Sequence, residues 1–336
     1  MTAGATGEYY NNHRIKQGLM AKSQPVPLKL NYRIGSDQAT AYIDIMKDVS
    51  ILSRKFFRQG KLVPLANIRL TVPAATSATA GSGVYISTIQ TSWAASNAWH
   101  KSFAMWQKQA RHAIEDSGSE SAVARFRDFK IYLDKEHQTT GNLVPVNLGP
   151  FGRVGPFPTA VVTAPSPLTG EWDYSQIAVP NDGAVGVTNN YALTMHGGDT
   201  GSTKGMILGY ANSRSVPQSP DPVGPSVSTS WMNQMFDDGD NNANVMLITQ
   251  SFNDDLPYDQ SNYPGADLNY IYPENKAFIL NASTVGVRQY NTGSMVVPCG
   301  LLRIDQIYQA SGDLILEVEL IPGDERGYML ADMQDM

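Results

Sequence analysis

The sequence predicts a mainly β chain: a β-sandwich, built as two β units in tandem, each with one inserted helix. Three observations carry that expectation. Short runs of alternating apolar and polar residues, bounded by turn residues, recur along the 336-residue chain. Pro (20) and Gly (29) are plentiful, as many short strands joined by turns require. One long helical period follows the first strands, and the tripeptide that opens it, Thr91-Ser92-Trp93, returns as Thr229-Ser230-Trp231 after further strand-like runs.

Residues 1–24 are polar and read as an N-terminal arm, with only Arg14, Lys16 and Lys22 basic. PVPLKLNYRI puts Leu28, Leu30, Tyr32 and Ile34 on one strand face. After a turn at Gly35–Asp37, ATAYIDIM alternates Ala41, Ile43 and Ile45 against Tyr42, Asp44 and Met46. Residues 48–59 read as a short helix closed by Gly60. LVPLANIRLTV is a strand whose Pro64 asks for an edge or a bulge. Residues 73–83 are small, polar and loop-like, and GVYISTIQ is a strand leading into the helix. In that helix, Thr91–Ser117, residues Trp99, Phe103, Trp106, Ala110 and Ile114 recur at intervals of four, three, four and four, which stacks them on one face. Lys101, Lys108, Arg111 and His112 fall off that face, and Gly118 closes the helix. The stripe reads as packing rather than as a ligand site.

RFRDFKIYLD reads as a strand with one apolar face. Gly149–Gly170 is rich in Gly and Pro and is the linker of the chain, though it contains the apolar run TAVVTA. Beyond it, EWDYSQIAVP, NNYALTMH, KGMILGYA, NVMLITQSF, KAFILNASTVGVRQY, SMVVPCGLLRI and DLILEVELIP read as strands, and STSWMNQMF as a short turn or helix. Pro217–Pro225 and Asp254–Pro273 read as external loops. The division is therefore an arm at 1–24, a first unit at 25–150, a linker at 151–170, a second unit at 171–322 and a tail at 323–336.

Charge divides at the same place. Residues 1–160 hold 19 Lys and Arg against 10 Asp and Glu, a balance of +9; residues 161–336 hold 6 against 21, a balance of −15. The halves are expected to face different partners, the basic one a polyanion. One cysteine, Cys299, excludes an intrachain disulfide framework. The first residues lack the apolar core of a secretory signal, and no run of about 18 apolar residues suggests a membrane span.

The chemical motifs are weak. Asp199-Thr200-Gly201 matches the aspartic-protease tripeptide, but its flanks are polar and Asp-Thr-Gly occurs once, so it reads as a hairpin turn. Gly197–Gly205 lacks the Gly-Lys-Ser/Thr of a phosphate loop. Asp238, Asp240 and Asn242 offer oxygen ligands for Ca²⁺, but the sixth and twelfth loop positions are Ala243 and Thr249, so a solvated acidic turn is the stronger reading. The five histidines show no zinc spacing, there is no GxSxG element, and Cys299 reads as a small buried residue. Asn281-Ala282-Ser283 matches a glycosylation sequon without a secretory context. The one suggestive cluster is basic: Lys47, Arg54, Lys55, Arg58, Lys61 and Arg69 surround Phe56-Phe57, and cations interleaved with aromatics can neutralise phosphates and stack on bases. No catalytic residue and no cofactor are expected.

The layout of strands, TSW, helix and strands on either side of Gly149–Gly170, with segments such as FKIYLD, LPYDQSNYPG and VPCGLLRI, resembles jelly-roll viral major capsid proteins, over residues 25–322. The closest likeness is to the double-jelly-roll coats of small icosahedral viruses and phages; a single jelly roll with a large insertion is the alternative. The resemblance implies a structural protein that assembles with itself through trimers into an icosahedral shell. It also implies a virion location after assembly in the host cytoplasm or nucleus, and other virion proteins as neighbours. The basic residues Lys47, Arg54, Lys55, Arg58, Lys61 and Arg69 would then face viral nucleic acid or an internal membrane. The Arg-rich arm of many single-roll coats is missing here. Two other functional classes share the layout: a carbohydrate-binding or host-attachment protein, and a hydrolase using carboxylates from Asp237–Asp240 with Asp254 and Asp255.

Overall fold

In the computed structural model the described residues are 26–36, 38–72, 83–118, 128–146, 174–180, 188–195, 202–215, 276–279, 288–307 and 313–333. The strands begin with β1 (Lys29–Ile34) and β2 (Thr40–Asp44), followed by helix α1 (Ile45–Ser53), β3 (Lys61–Val72), β4 (Gly83–Thr88) and helix α2 (Trp93–Ser117). Then come α3 (Lys135–Thr140), β5 (Gln176–Pro180), β6 (Thr188–Thr194), β7 (Thr203–Gly205) and α4 (Met206–Ser215). The chain closes with β8 (Lys276–Ile279), β9 (Arg288–Asn291), β10 (Met295–Pro298), β11 (Leu301–Ile307), β12 (Leu314–Leu320) and three two-residue strands, β13 (Pro322–Gly323), β14 (Gly327–Tyr328) and β15 (Ala331–Asp332).

Two antiparallel sheets make the sandwich. The first has the order β1-β12-β3-β10, with β9 and β15 also on β3; the second has the order β2-β11-β4-β8. The pairing is nested: β1 with β12, β2 with β11, β3 with β10 and β4 with β8. Alternation explains how one core fills the space between the sheets. In β12 Leu314, Leu316, Leu320 and Val318 point inward, while Ile315, Glu317 and Glu319 are half-buried on the outer side. Leu30, Tyr32, Ile34, Ile68 and Leu70 join them from the first sheet, and Ile43, Val84, Ile86, Leu302 and Ile304 from the second. Each such buried side chain contributes about 1.5–3 kcal/mol. The outer face of the first sheet is instead wet and charge-paired: Lys29 meets Glu317 and Glu319, Arg69 meets Glu317, and Arg33 meets Asp313.

Both sheets draw strands from both ends of the chain. The boundary expected between units at 25–150 and 171–322 therefore does not divide the sandwich: strands at 29–88 pair with strands at 276–320. The expected linker, the Thr229–Trp231 echo and the loops at 217–225 and 254–273 lie outside the described residues. Residues 89–275 enter between β4 and β8. Their described parts build a second core on the outer side of the second sheet, from α2, α4, β5, β6 and residues 129–133 against Tyr42, Cys299 and Leu301. In that insertion β5, β6 and β7 form a small sheet of their own.

Several local expectations need correcting. The first helix runs over Ile45–Ser53, not 48–59, because Asp44 at the end of β2 caps it by accepting from Lys47 N–H. It ends at Arg54, in the left-handed conformation with φ 55°, well before Gly60. KGMILGYA is strand only through Gly205; Met206, Ile207, Tyr210 and Ala211 have helical spacing and form the buried side of α4. Residues 128–134 are not a strand. Phe129, Ile131 and Leu133 are buried as the alternation implied, but so are Asp128 and Lys130, and among the described residues the one ladder contact is a bridge from Tyr132 to Thr194. Pro64, by contrast, meets its expectation: it lies opposite Val296, just past a bulge in the β12 ladder between Asn67 and Leu65.

Helix α2 ends where expected, at Gly118 with φ 60°, and begins at Trp93 rather than Thr91, because Ser92 caps it by accepting from Ala95 N–H. Its most buried line is Ala95, Ala98, Trp99, Ser102 and Met105. Phe103 and Trp106 lie at its margin, half-buried, and the last turns around Arg111–Ser117 leave the core. Trp99 packs against Gly60, where a Cβ would fall 2.3 Å from Cη2 of the indole. No helix among the described residues is long and apolar enough to cross a membrane.

Residues 142–146 close one side of the sandwich. Leu143 N–H donates to the Tyr42 carbonyl at 2.7 Å and Val146 N–H to the Asn31 carbonyl at 2.7 Å, so one strap bonds the outer strand of each sheet. Bridges Tyr42–Asn142 and Tyr32–Pro145 complete it. The tight turn from β10 to β11 carries Cys299 at φ 58° and Gly300 at φ 70°, and takes the chain from one sheet to the other. The Trp99–Gly60 contact gives a first test. Gly60→Ala is expected to lose about 1–3 kcal/mol by overpacking, read as a lower urea midpoint.

Candidate functional site

The densest polar chemistry lies where the insertion meets β2 and β11. Tyr42 and Arg303 leave those strands on the side away from the sandwich core. Tyr42 donates to Asp134 at 2.8 Å, and Arg303 Nη1 donates to the same carboxylate at 2.9 Å. Arg303 also reaches Glu136 at 3.3 Å and, through Nε, Asp305 at 3.0 Å. Asp134 caps α3 by accepting from His137 N–H at 2.8 Å.

His137 is fully buried and its imidazole lies flat on Tyr42, with ring centroids 4.4 Å apart. Its tautomer follows from its partners. Leu133 N–H donates to Nδ1 at 2.9 Å, so Nε2 carries the hydrogen and donates to Asn142 Oδ1 at 2.7 Å. Asn142 Nδ2 in turn donates to the Tyr174 hydroxyl, and Tyr174 stacks on Tyr132 at 3.9 Å. Burial lowers His137 to about 4 against the opposing Asn142 bond and Asp134 charge. Both ring nitrogens are committed, so the group acts as a tie between α3 and the strap.

A second tie runs through Gln59. Its Nε2 donates to Asp44 at 2.8 Å and to the Ile131 carbonyl at 3.3 Å, while its Oε1 accepts from Ile131 N–H at 2.7 Å. Burial raises Asp44 to about 6, partly offset by the bonds from Lys47 N–H and Gln59. Asp48, one helical turn on, accepts from Tyr32 at 2.7 Å and is also raised, by burial first and then by Asp44.

The predicted basic residues are spread rather than gathered. Lys61 pairs with Asp332 at 2.7 Å and Arg69 with Glu317 at 3.4 Å, on and beside the first sheet. Arg58 Nε pairs with buried Asp128 at 3.1 Å and its guanidinium lies 5.1 Å from the Phe103 centroid and 5.9 Å from that of Phe56. Lys47 is half-buried on α1 and Arg54 is exposed at its end. Lys55 Nζ donates to the Arg326 carbonyl at 3.1 Å, and Arg326 Nη1 donates to the Phe56 carbonyl. Arg326 was missed because it stands in the acidic half, far away in sequence. Phe57, by contrast, is buried and meets Tyr328 edge-on.

The Ca²⁺ candidates Asp238, Asp240 and Asn242, the carboxylates Asp237, Asp254 and Asp255, and Asp199–Gly201 lie outside the described residues. Among the described residues no group of three or more His, Cys, Asp or Glu is placed to hold a metal ion. Cys299 is buried, its thiol raised by burial. No protein-family model, curated protein or solved structure matches the chain.

Two expectations follow from the ties. Arg303→Met leaves the buried Asp134 without its guanidinium and is expected to cost about 3–5 kcal/mol. Tyr42→Phe removes one hydroxyl donor and is expected to cost about 1–3 kcal/mol. Urea unfolding should rank the two in that order. The pH dependence has opposing parts. Asp44 is raised, so its contribution is fully present below about pH 4 and is lost as pH rises through about 6. His137 is lowered, so its contribution is present above about pH 6.5 and is lost as pH falls through about 4. Asp44→Asn removes the first and relieves the charge that raises Asp48, so its stability relative to the parent chain should be higher at about pH 7.5 than at about pH 4.5, by about 2 kcal/mol or more.

Proposed function

We propose that this chain is a viral coat protein: a single jelly roll with a large insertion between its fourth and fifth strands, which assembles with itself, through trimers, into a closed shell around a genome. The observation that carries this reading is the nested pairing of eight strands, β1 with β12, β2 with β11, β3 with β10 and β4 with β8, distributed over two four-strand paths, β1-β12-β3-β10 and β2-β11-β4-β8. A long hairpin rolled on itself has that connectivity, and jelly rolls are the architecture of many capsid and lectin domains. The same pairing favours one roll over two.

The polar junction supports a structural role. Its histidine, arginine and carboxylates are tied to one another and hold the insertion rigidly against the sandwich. A shell subunit needs such rigidity, because closed symmetry repeats each subunit's geometry and converts modest contacts into a stable particle. Obligate subunit interfaces of that kind usually bury about 2,000 Å² or more.

Negative-stain microscopy and light scattering of the purified chain test the reading over a range of ionic strength and pH. Uniform closed shells, or trimers that convert to them, are expected. A persistent monomer under every condition overturns the proposal, and so does a small oligomer that binds glycans on an array and never closes.

A further inference from the structure

We infer that the joint between the sandwich and the insertion carries a proton-controlled clasp: the Gln59 amide stays closed over Asp44 and Ile131 while Asp44 is protonated, and releases both more often once Asp44 ionises. The clasp is one side chain. Gln59 Nε2 donates to Asp44 at 2.8 Å, while Oε1 accepts from Ile131 N–H at 2.7 Å. Asp44 belongs to the sandwich and Ile131 to the insertion, so freeing the amide frees both. Ile131 N–H has this side chain as its partner in place of a strand ladder. Among the described residues the stretch 128–134 makes one ladder bridge, Tyr132–Thr194. The sandwich core lies on the other side of the second sheet, so the clasp can open without uncovering it.

The group beneath the clasp is a costly one to charge. Asp44 and Asp48 are fully buried and four residues apart, and their hydrogen bonds come from uncharged donors: Lys47 N–H and Gln59 on Asp44, Tyr32 on Asp48. The guanidinium groups of the joint are engaged elsewhere, Arg58 with Asp128 and Arg303 with Asp134. Ionisation strengthens both bonds to Asp44, but burying the charge costs more than they return, and burial raises the group to about 6. An open clasp admits water and removes that cost. Closure is therefore fully favoured below about pH 4 and weakens as pH rises through about 6.

Each element packed against Asp44 brings a group to it. On α1, Lys47 favours the charge, and Asp48 is itself raised, by burial first and by the Asp44 charge next. From the insertion Asp128 opposes the charge, with Arg58 and Lys130 acting on Asp128 in turn. Tyr32 of β1, Tyr174 of the insertion and Cys299 of the β10–β11 turn are all raised by burial, which keeps them neutral. His137, lowered to about 4 by burial, is uncharged over the same range. Asp44 is thus the group whose titration the clasp covers directly, and the chain seats its insertion more firmly in mildly acidic than in neutral solution.

Amide hydrogen exchange of the full, unassembled chain, read residue by residue and corrected for the intrinsic rate at each pH, tests this. Ile131 N–H reports the clasp, and Leu316 N–H in the central strand β12 reports opening of the whole fold. The protection of Ile131 is expected to lie at least about tenfold below that of Leu316 and to be nearly insensitive to low urea. It should fall roughly tenfold between about pH 5 and about pH 7.5. Asp44→Asn and Asp44→Ser both supply a capping side chain without the charge, and each should cut that fall to about twofold or less. Arg33→Ala, on the outer face of the first sheet, should leave it unchanged. Three results would each overturn the inference: Ile131 exchanging with the protection and urea dependence of Leu316, equal protection of Ile131 at both pH values, or the full fall persisting in a folded Asp44 variant. Whether the chain forms shells bears on the coat reading alone.

Discussion

Asp44 is the carboxylate on which the architecture turns. It ends β2, caps α1 and receives the Gln59 amide that also clasps Ile131. One buried group thereby sets where a strand becomes a helix, where the next loop lies, and where the insertion docks. Its burial opposes ionisation, and the donors supplied by Lys47 and Gln59 only partly offset that. Removing a donor from such a network costs more than the bond it makes, because the remaining group stays dry.

The same logic explains why the second sheet is buried on both faces while the first is not. β2 has Ala41 and Ile43 toward the sandwich, but Tyr42 and Asp44 on its other side are equally buried. That outer side is polar and would be costly to cover with apolar chain alone. The insertion answers with Asp134, His137 and Gln59-bound Ile131, and places its apolar groups, Phe129, Leu133 and Met195, around them. The first sheet meets the opposite condition. Its outer positions form cross-strand rows of opposite charge, such as Lys29, Glu317 and Arg69, which are stable in water and need no cover.

Much of this was legible in the sequence wherever the period was short and local. The alternation of LILEVEL and KLNYRI fixed both strands and their inward faces. The helical period read over Thr91–Ser117 and closed by Gly118 located α2, which begins two residues later, at Trp93. What alternation does not encode is the partner. The pairing of β1 with β12 joins residues nearly the length of the chain apart, and no local signal distinguishes that from a hairpin with a neighbour. A stretch buried on all sides, as at 128–134, also mimics a strand, since Phe129, Ile131 and Leu133 alternate while Asp128 and Lys130 are covered by other elements. Arg326 could not be grouped with Arg54 and Arg58 without the turn that brings it there. The pairing of Arg69 and Lys61 with acids was equally invisible, because their partners come from β12 and β15.

The nested pairing has a consequence for how the chain is made. β1 to β4 are complete once residue 88 leaves the ribosome, yet their partners begin at residue 276 and end at residue 320. At a synthesis rate of about 5–20 residues per second, the first four strands wait on the order of 10 to 50 s before β12 is available. During that interval Leu30, Tyr32, Ile43, Ile68 and Ile86 have no native cover. The apolar faces of the first four strands therefore stay without their native partners until residues 276–320 have been made. A sandwich whose pairings reach Leu320 closes only after that residue has been made.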